Sequence, residues 1–359
     1  MEWYNFYMPR KKINVAIAGV GSFTKALVEG VSFYTKNPKE KTGLSHPLIG
    51  PYKVSDIDFV CAFDVDERKV GKKLHKAISL GANVSKKITE PLEYEAVVHR
   101  GPTLDGVISE MKGSFVHESK DVAVDVASIL KETKTDILVN LVPSGSDEAT
   151  RFYTEEALKA GCSFINCIPT PIATVASIRK RFEKKGLVVL GDDIKSQLGA
   201  TMLNRFLLQL LKMRGIKITE THQENRGGNA DHFNLKYRFK HKEKSKSETL
   251  KKFLEKGDAE PTVTFTYTGE SSGHKLVNLT IKGEIFGKTP IFITSVIEDE
   301  ISINGAGTTA DAIRMAKFLV ETKQQRKAQL ACPFLMKTPP EHMSDTEASK
   351  AFEKLLKAA

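Results

Sequence analysis

From Ile13 to about Leu190, apolar positions fall in short, nearly continuous runs separated by longer stretches with a helical period. The runs at 13–18, 57–63, 137–142, 163–167 and 187–190 are rich in β-branched and aromatic residues, as strands buried on both faces require. Helical patterns over 24–34, 67–79, 122–130 and 147–160 lie between them. Such alternation predicts an α/β fold with a doubly wound, mostly parallel sheet. Near residue 197 the pattern changes. An apolar helix over 198–213 precedes a strand-like run at 216–224, a glycine- and asparagine-rich stretch at 225–234 and a lysine-dense segment at 236–256. Alternating runs at 262–268, 275–285 and 290–298 then predict an antiparallel sheet with one exposed face. The helical period returns at 309–321, and a turn at Pro339 and Pro340 leads into a charged terminal helix expected to pack back on the first domain. The expected division is 1–197, then an inserted α+β catalytic and oligomerisation domain over 198–303, then a C-terminal segment over 304–359.

Composition narrows the function classes. A chain of 359 residues suffices for two domains, and 40% hydrophobic with 27% charged residues is ordinary for a globular protein. Lysine and arginine exceed aspartate and glutamate by 54 to 44, a formal charge of +10, which suits either nucleic acid or an anionic small molecule. Low aromatic content and the lack of zinc-finger, RNP-like or basic-zipper patterns favour the small molecule over nucleic acid. The four cysteines form no C-x-x-C pair and three sit in or beside apolar runs, so buried free thiols in a reducing cytoplasm are expected. No run approaches the ~20 apolar residues of a membrane span, and no membrane partner is expected.

INVAIAGVGSFTKALVEG reads strand, turn, helix. Gly19 permits the tight turn, and Gly21 lets the backbone, with Val20 and Ser22, approach a pyrophosphate at a helix start, as in a Rossmann dinucleotide fold. The third glycine position is Thr24, so a purely structural turn is the competing reading. Asp64 ends the second strand where a carboxylate accepts from the adenosine ribose, which favours NAD over NADP. In VPSGSDEAT, Ser144 and Ser146 suit a loop beside the cofactor, unless Ser146 merely caps the helix; Asn166 ends a strand at the same edge. GDDIKSQLGAT delivers Asp192, Asp193, Lys195 and Ser196 to a helix start whose free N–H groups suit a second phosphate, against a capping role for the acids. Lys240, Lys242, Lys244, Lys246, Lys251 and Lys252 would ordinarily form a solvated face, but GGNADHFN before them looks like a loop folded over a ligand.

Together these segments resemble the myo-inositol-1-phosphate synthases, especially the shorter bacterial type. GVG at 19–21, AFDVDERKVG at 62–71, RGPTLDG at 100–106, GDDIKSQLGAT at 191–201, GGNADHFN at 227–234, KEKSKS at 242–247 and LMKTPPE at 335–341 carry the likeness in colinear order. It implies conversion of D-glucose 6-phosphate to 1L-myo-inositol 1-phosphate with tightly held NAD: oxidation at C5, enolisation, intramolecular aldol closure and re-reduction. It implies that Lys242 shuttles the C5 hydroxyl proton, that Lys246 and Lys275 hold the phosphate and the C1 oxygen, and that Lys337 stabilises the C5 oxygen. Ser196, Gln197 and Asn229 would contact substrate, Asp193 would stand near the nicotinamide, and Asp299 would neighbour a divalent metal or monovalent cation. The resemblance also implies a homotetramer. Glu300 departs from the serine usual after the Asp299 position, so its carboxylate either strengthens a metal site or points outward. Two alternatives stay open: an NAD-dependent sugar-phosphate dehydrogenase with net redox, and a non-catalytic nucleotide-sensing or nucleic-acid-binding protein.

Overall fold

A computed structural model describes residues 12–251 and 254–357; side chains within 239–249 lie outside that description. The first half runs β1 (Ile13–Ala18), α1 (Ser22–Lys36), β2 (Ile57–Asp64), α2 (Leu74–Ala77), β3 (Val97–Arg100), α3 (Val126–Glu132), β4 (Ile137–Asn140), α4 (Asp147–Ala160), β5 (Ser163–Asn166), α5 (Ala176–Lys184) and β6 (Val189–Leu190). Its strands form a parallel sheet in the order β3-β2-β1-β4-β5-β6. The strand order reverses between β1 and β4, which leaves a crevice at the strands' carboxyl ends. β3 was not expected, because VVHR is four residues long and half polar. The helix expected over 67–79 shrinks to α2. Gly71 N–H bonds to the Val98 carbonyl and Val98 N–H to that of Lys72, so this stretch pairs with β3 instead of coiling.

The second half adds α6 (Ala200–Met213), β7 (Lys217–Gly227), α7 (Ala230–Lys251), β8 (Thr262–Tyr267), β9 (His274–Glu284) and β10 (Pro290–Glu300), with sheet order β10-β9-β7-β8. β9 is antiparallel to both β7 and β10, but β8 is parallel to β7. The all-antiparallel expectation fails there because α7 acts as a crossover that carries the chain back to the same end of the sheet. Leu279, Ile281, Val263 and Ile218 of this sheet bury against Leu208 and Leu211 of α6.

The chain then returns through α8 (Ile301–Glu321), α9 (Ala328–Leu335) and α10 (Asp345–Lys357). α8 begins at Ile301, ahead of its expected start at 309, and its Ala306, Ala310, Ile313 and Ala316 join the core formed by β1 and α1. The two helices meet closely at Gly305, where an added Cβ would lie 2.5 Å from Phe23 Cε2. Gly305→Val should wedge them apart and lower stability by about 1–3 kcal/mol, seen as a lower denaturant midpoint. An unchanged midpoint would contradict so close an approach of the two helices.

Candidate functional site

A cavity of about 310 Å³ opens at the carboxyl ends of β1, β2 and β4 and is closed on its far side by α6, the start of α7 and β9. One end is built by the glycine turn. Gly19 has φ +95°, and a Cβ there would lie 2.6 Å from the Leu141 carbonyl oxygen, so the fold itself demands glycine. Gly21 is different. A Cβ there would meet nothing within 4 Å, and Gly21 begins α1 without a side-chain cap. The uncapped helix start therefore leaves space and N–H donors for an anion. Thr24, standing where a third glycine is usual, donates its hydroxyl to the Gly19 carbonyl at 2.6 Å.

Asp64 closes this end. Its Oδ2 accepts from Val20 N–H at 2.7 Å, and its Oδ1 accepts from the N–H groups of Val65 and Asp66. Lys69 lies 3.9 Å from the same carboxylate and donates to the Val20 carbonyl at 2.8 Å, bracing the turn from beneath. Further along the wall come Ser22, Ser144 and the thiol of Cys167, which burial pushes up to about 12 and so keeps protonated. All four cysteines are free and buried.

The other end depends on a pairing of two distant segments. Asp192 and Thr338 exchange backbone bonds at 2.9 and 3.0 Å, Lys337 N–H donates to the Asp193 carbonyl, and Lys195 N–H donates to that of Leu335. This register sets Lys337 Nζ 2.8 Å from Asp193 Oδ1, both facing the cavity. Asp193 sits at φ +61°, a region that aspartate tolerates better than most residues. Asp192 turns the opposite way, fully buried. Its carboxylate accepts from Asn166, the N–H groups of Ile172, Ala173 and Thr174, and the Thr174 hydroxyl; burial pushes its pKa up to about 6. The two adjacent acids therefore divide, one into the framework and one into the cavity.

Of the residues expected at a cofactor or substrate, Gly19, Val20, Gly21, Ser22, Asp64, Ser144, Asp193, Ser196, Asn229, Lys275 and Lys337 line this cavity. Asn229 also caps α7, its Oδ1 accepting from His232 N–H at 2.9 Å. Lys242 and Lys246 fall on α7, with side chains outside the described residues. Four more of the expected residues stand outside that lining. Asn166 is buried, holding the Ile168 and Thr170 carbonyls and Asp192. Ser146 does not line the cavity and makes no side-chain cap to α4. Asp105 of the RGPTLDG segment takes that role, accepting from the N–H groups of Glu148 and Ala149. Gln197 lies outside the lining and donates its amide to the Gly43 carbonyl.

Asp299 also stands away from the lining, opposite Lys275 in the β9–β10 register, with Oδ2 accepting from the Asn304 amide at 2.6 Å. Glu300 reaches outward to Lys86 N–H at 3.3 Å. No group of three His, Cys, Asp or Glu suited to a metal occurs among the described residues. Asp299 brings a single carboxylate, its Oδ1 buried and without a hydrogen-bond partner among the described residues, so a divalent ion there would need ligands beyond it.

Sequence reasoning missed Lys69, Arg205 and His232, all in the cavity wall. Arg205 carried one signal: its spacing from Leu208 and Leu211 puts a charge on the buried face of α6. Among the described residues, no helix is long and apolar enough to cross a membrane.

The profile of the family described as Myo-inositol-1-phosphate synthase matches residues 199–300. An inositol-3-phosphate synthase of Mycolicibacterium smegmatis is 37% identical over 354 residues, covering 95% of this chain and 97% of the relative. One from Corynebacterium glutamicum is 36% identical over 358 residues, covering 96% and 98%. Among solved structures, Ari2 superimposes with a TM-score of 0.79 at 28% identity, over 97% of this chain and 99% of its own. A myo-inositol-1-phosphate synthase-related protein from Thermotoga maritima shares the fold at TM-score 0.80 and 23% identity, covering 96% and 98%.

The two glycines of the turn should respond differently to substitution. Gly19→Ala should lower stability by about 2 kcal/mol or more through strain and collision. Gly21→Ala should leave the melting temperature unchanged while weakening the binding of an anionic ligand at the turn about tenfold or more, because its methyl fills the open space. Equal behaviour of the two variants in melting and titration would contradict this division of roles.

Proposed function

The chain belongs to the myo-inositol-1-phosphate synthase family, an isomerase family, and from that premise we propose that it converts D-glucose 6-phosphate to 1L-myo-inositol 1-phosphate using NAD. The observation that carries the reading is the convergence of Lys337, Asp193 and Lys275 on one cavity that runs to the glycine turn. The open space at Gly21, the uncapped start of α1 and the carboxylate of Asp64 fit the pyrophosphate and adenosine ribose of NAD. When bound, NAD supplies reversible oxidation at the sugar's C5.

The chain's own residues supply the rest. Lys337, held by Asp193, donates to the C5 oxygen and stabilises negative charge there when a C6 proton leaves. The buried Lys275 holds the phosphate and the C1 oxygen together with Lys246, so that C1 and C6 meet in one orientation. Lys242 moves the C5 hydroxyl proton. Ser196 and the start of α6, where Gly199 makes no side-chain cap, present donors to the phosphate. Asp193, Asn229, His232 and Lys275 are all buried, which limits the water that reaches them. No step is assigned to a metal at Asp299. The homotetramer remains part of this reading, supported by Phe292 and Val296, which stand 62% and 59% exposed on β10.

Incubation with glucose 6-phosphate and catalytic NAD should yield inositol phosphate without net NADH. Stoichiometric NADH without inositol phosphate would instead identify a dehydrogenase. Lys337→Ala should lower kcat by about 10²–10⁴-fold with NAD binding retained; turnover at the parental rate would mean that Lys337 does not stabilise the C5 oxygen.

A further inference from the structure

The C-terminal helix meets two residues of the cavity wall at its first residue, Asp345. Asp345 Oδ1 lies 2.8 Å from Lys195 Nζ, and its Oδ2 lies 3.4 Å from Arg205 Nε. Both cations line the cavity and are almost wholly buried, at 5% and 3% exposure. Each is also tied to a backbone carbonyl: Lys195 to Pro333 at 2.6 Å and Arg205 to Met343 at 3.1 Å. We propose that Asp345 is a positioning residue for the anion-binding end of the cavity, its carboxylate fixing Lys195 and Arg205 side by side, charged and aimed at the substrate's phosphate. The proposal rests on reading the cavity as a sugar-phosphate site.

Two observations separate this role from simple helix capping. The start of α10 is already capped by Ser344 and Glu347, which bond reciprocally: Glu347 N–H donates to Ser344 Oγ at 3.2 Å and Ser344 N–H to Glu347 Oε2 at 3.0 Å. Asp345 is thus free of that duty, and it contacts two cations that belong to the cavity wall rather than to its own helix. Buried cations placed close together also need a counter-charge to remain ionised. The groups facing Lys195 are Asp345, Arg205 and Lys337, with Asp193 two residues earlier on its own segment. Burial and the two cations push Lys195 below the usual lysine range, and Asp345 opposes them. Without Asp345, Lys195 would lose its proton at lower pH, and the phosphate would lose a partner.

Calorimetric titration of the NAD-saturated protein with inorganic phosphate, repeated across pH, tests this without turnover. Phosphate affinity should fall as pH rises through the Lys195 titration. Asp345→Asn should weaken binding about tenfold or more near neutral pH and move that fall to lower pH. Ser344→Ala, which removes the helix cap without touching the cavity, should change neither. Lys195→Arg keeps Asp345 and cannot titrate, so it should flatten the fall whether or not Asp345→Asn folds. In turnover assays Asp345→Asn should raise KM for glucose 6-phosphate far more than it lowers kcat. Parental affinity in Asp345→Asn, equal losses in Asp345→Asn and Ser344→Ala, or an unchanged pH profile in Lys195→Arg would each overturn the proposal. Phosphate binding that follows these expectations without inositol phosphate formation would sink the functional reading and leave the positioning role standing.

Discussion

The antiparallel pairing of residues 192–195 with 335–338 is the constraint on which the site depends. It joins segments 144 residues apart, one leaving β6 and the other leaving α9. Backbone hydrogen bonds fix the register, and register decides which side chains meet: Lys337 falls on Asp193, while Lys195 is carried toward α10 and Asp345. Asp192 secures the pairing from behind. Its buried carboxylate gathers donors from the 166–174 region, so a local loss there would leave several polar groups unsatisfied together. The cavity's cations therefore stand on a rigid framework, which is what a site must provide if it is to meet developing charge without reorganising.

The glycine turn is the second fixed point, and its glycines divide the work. Gly19 is required by the Leu141 backbone pressed against it, independent of any ligand. Gly21 is pressed by nothing among the described residues, which makes its open space the more informative of the two. The second sheet contributes Lys275 and the start of α7, so a ligand lying along the cavity touches both halves of the chain. Arg238 of α7 reaches back to the Asp105 carbonyl at 2.7 Å, and Asn234 to that of Ser144, which ties this helix to the loops of the parallel sheet.

Legibility in the sequence followed the length of each pattern and the locality of each contact. α4, with a full amphipathic period and Gly161 beyond its end, was readable to its boundaries; β3, four residues long with two polar, was not. The β7–β8 pair could not be oriented from alternation alone, because parallel and antiparallel strands alternate alike and the crossover decides. At the candidate site, residues of the glycine turn and of GDDIKS reach the cavity wall where their local motifs put them. Ser146 and Asn166 stand outside the lining, because a polar residue at a strand's end can serve the framework or a ligand equally well. Arg205 and Asp345 escaped notice because their meaning lies in a tertiary contact that no local spacing encodes.

The oxidation proposed at C5, undone within the same turnover, would make the reaction an isomerisation without net redox, and the reaction proposed for the cavity turns on that return. Glucose 6-phosphate deuterated at C5, turned over in the presence of excess unlabelled NADH, tests it most directly. The inositol phosphate should retain the deuterium if, as proposed, a nucleotide bound between the glycine turn and Lys337 returns what it received. Deuterium recovered in free NADH, with protium in its place in the product, would contradict it.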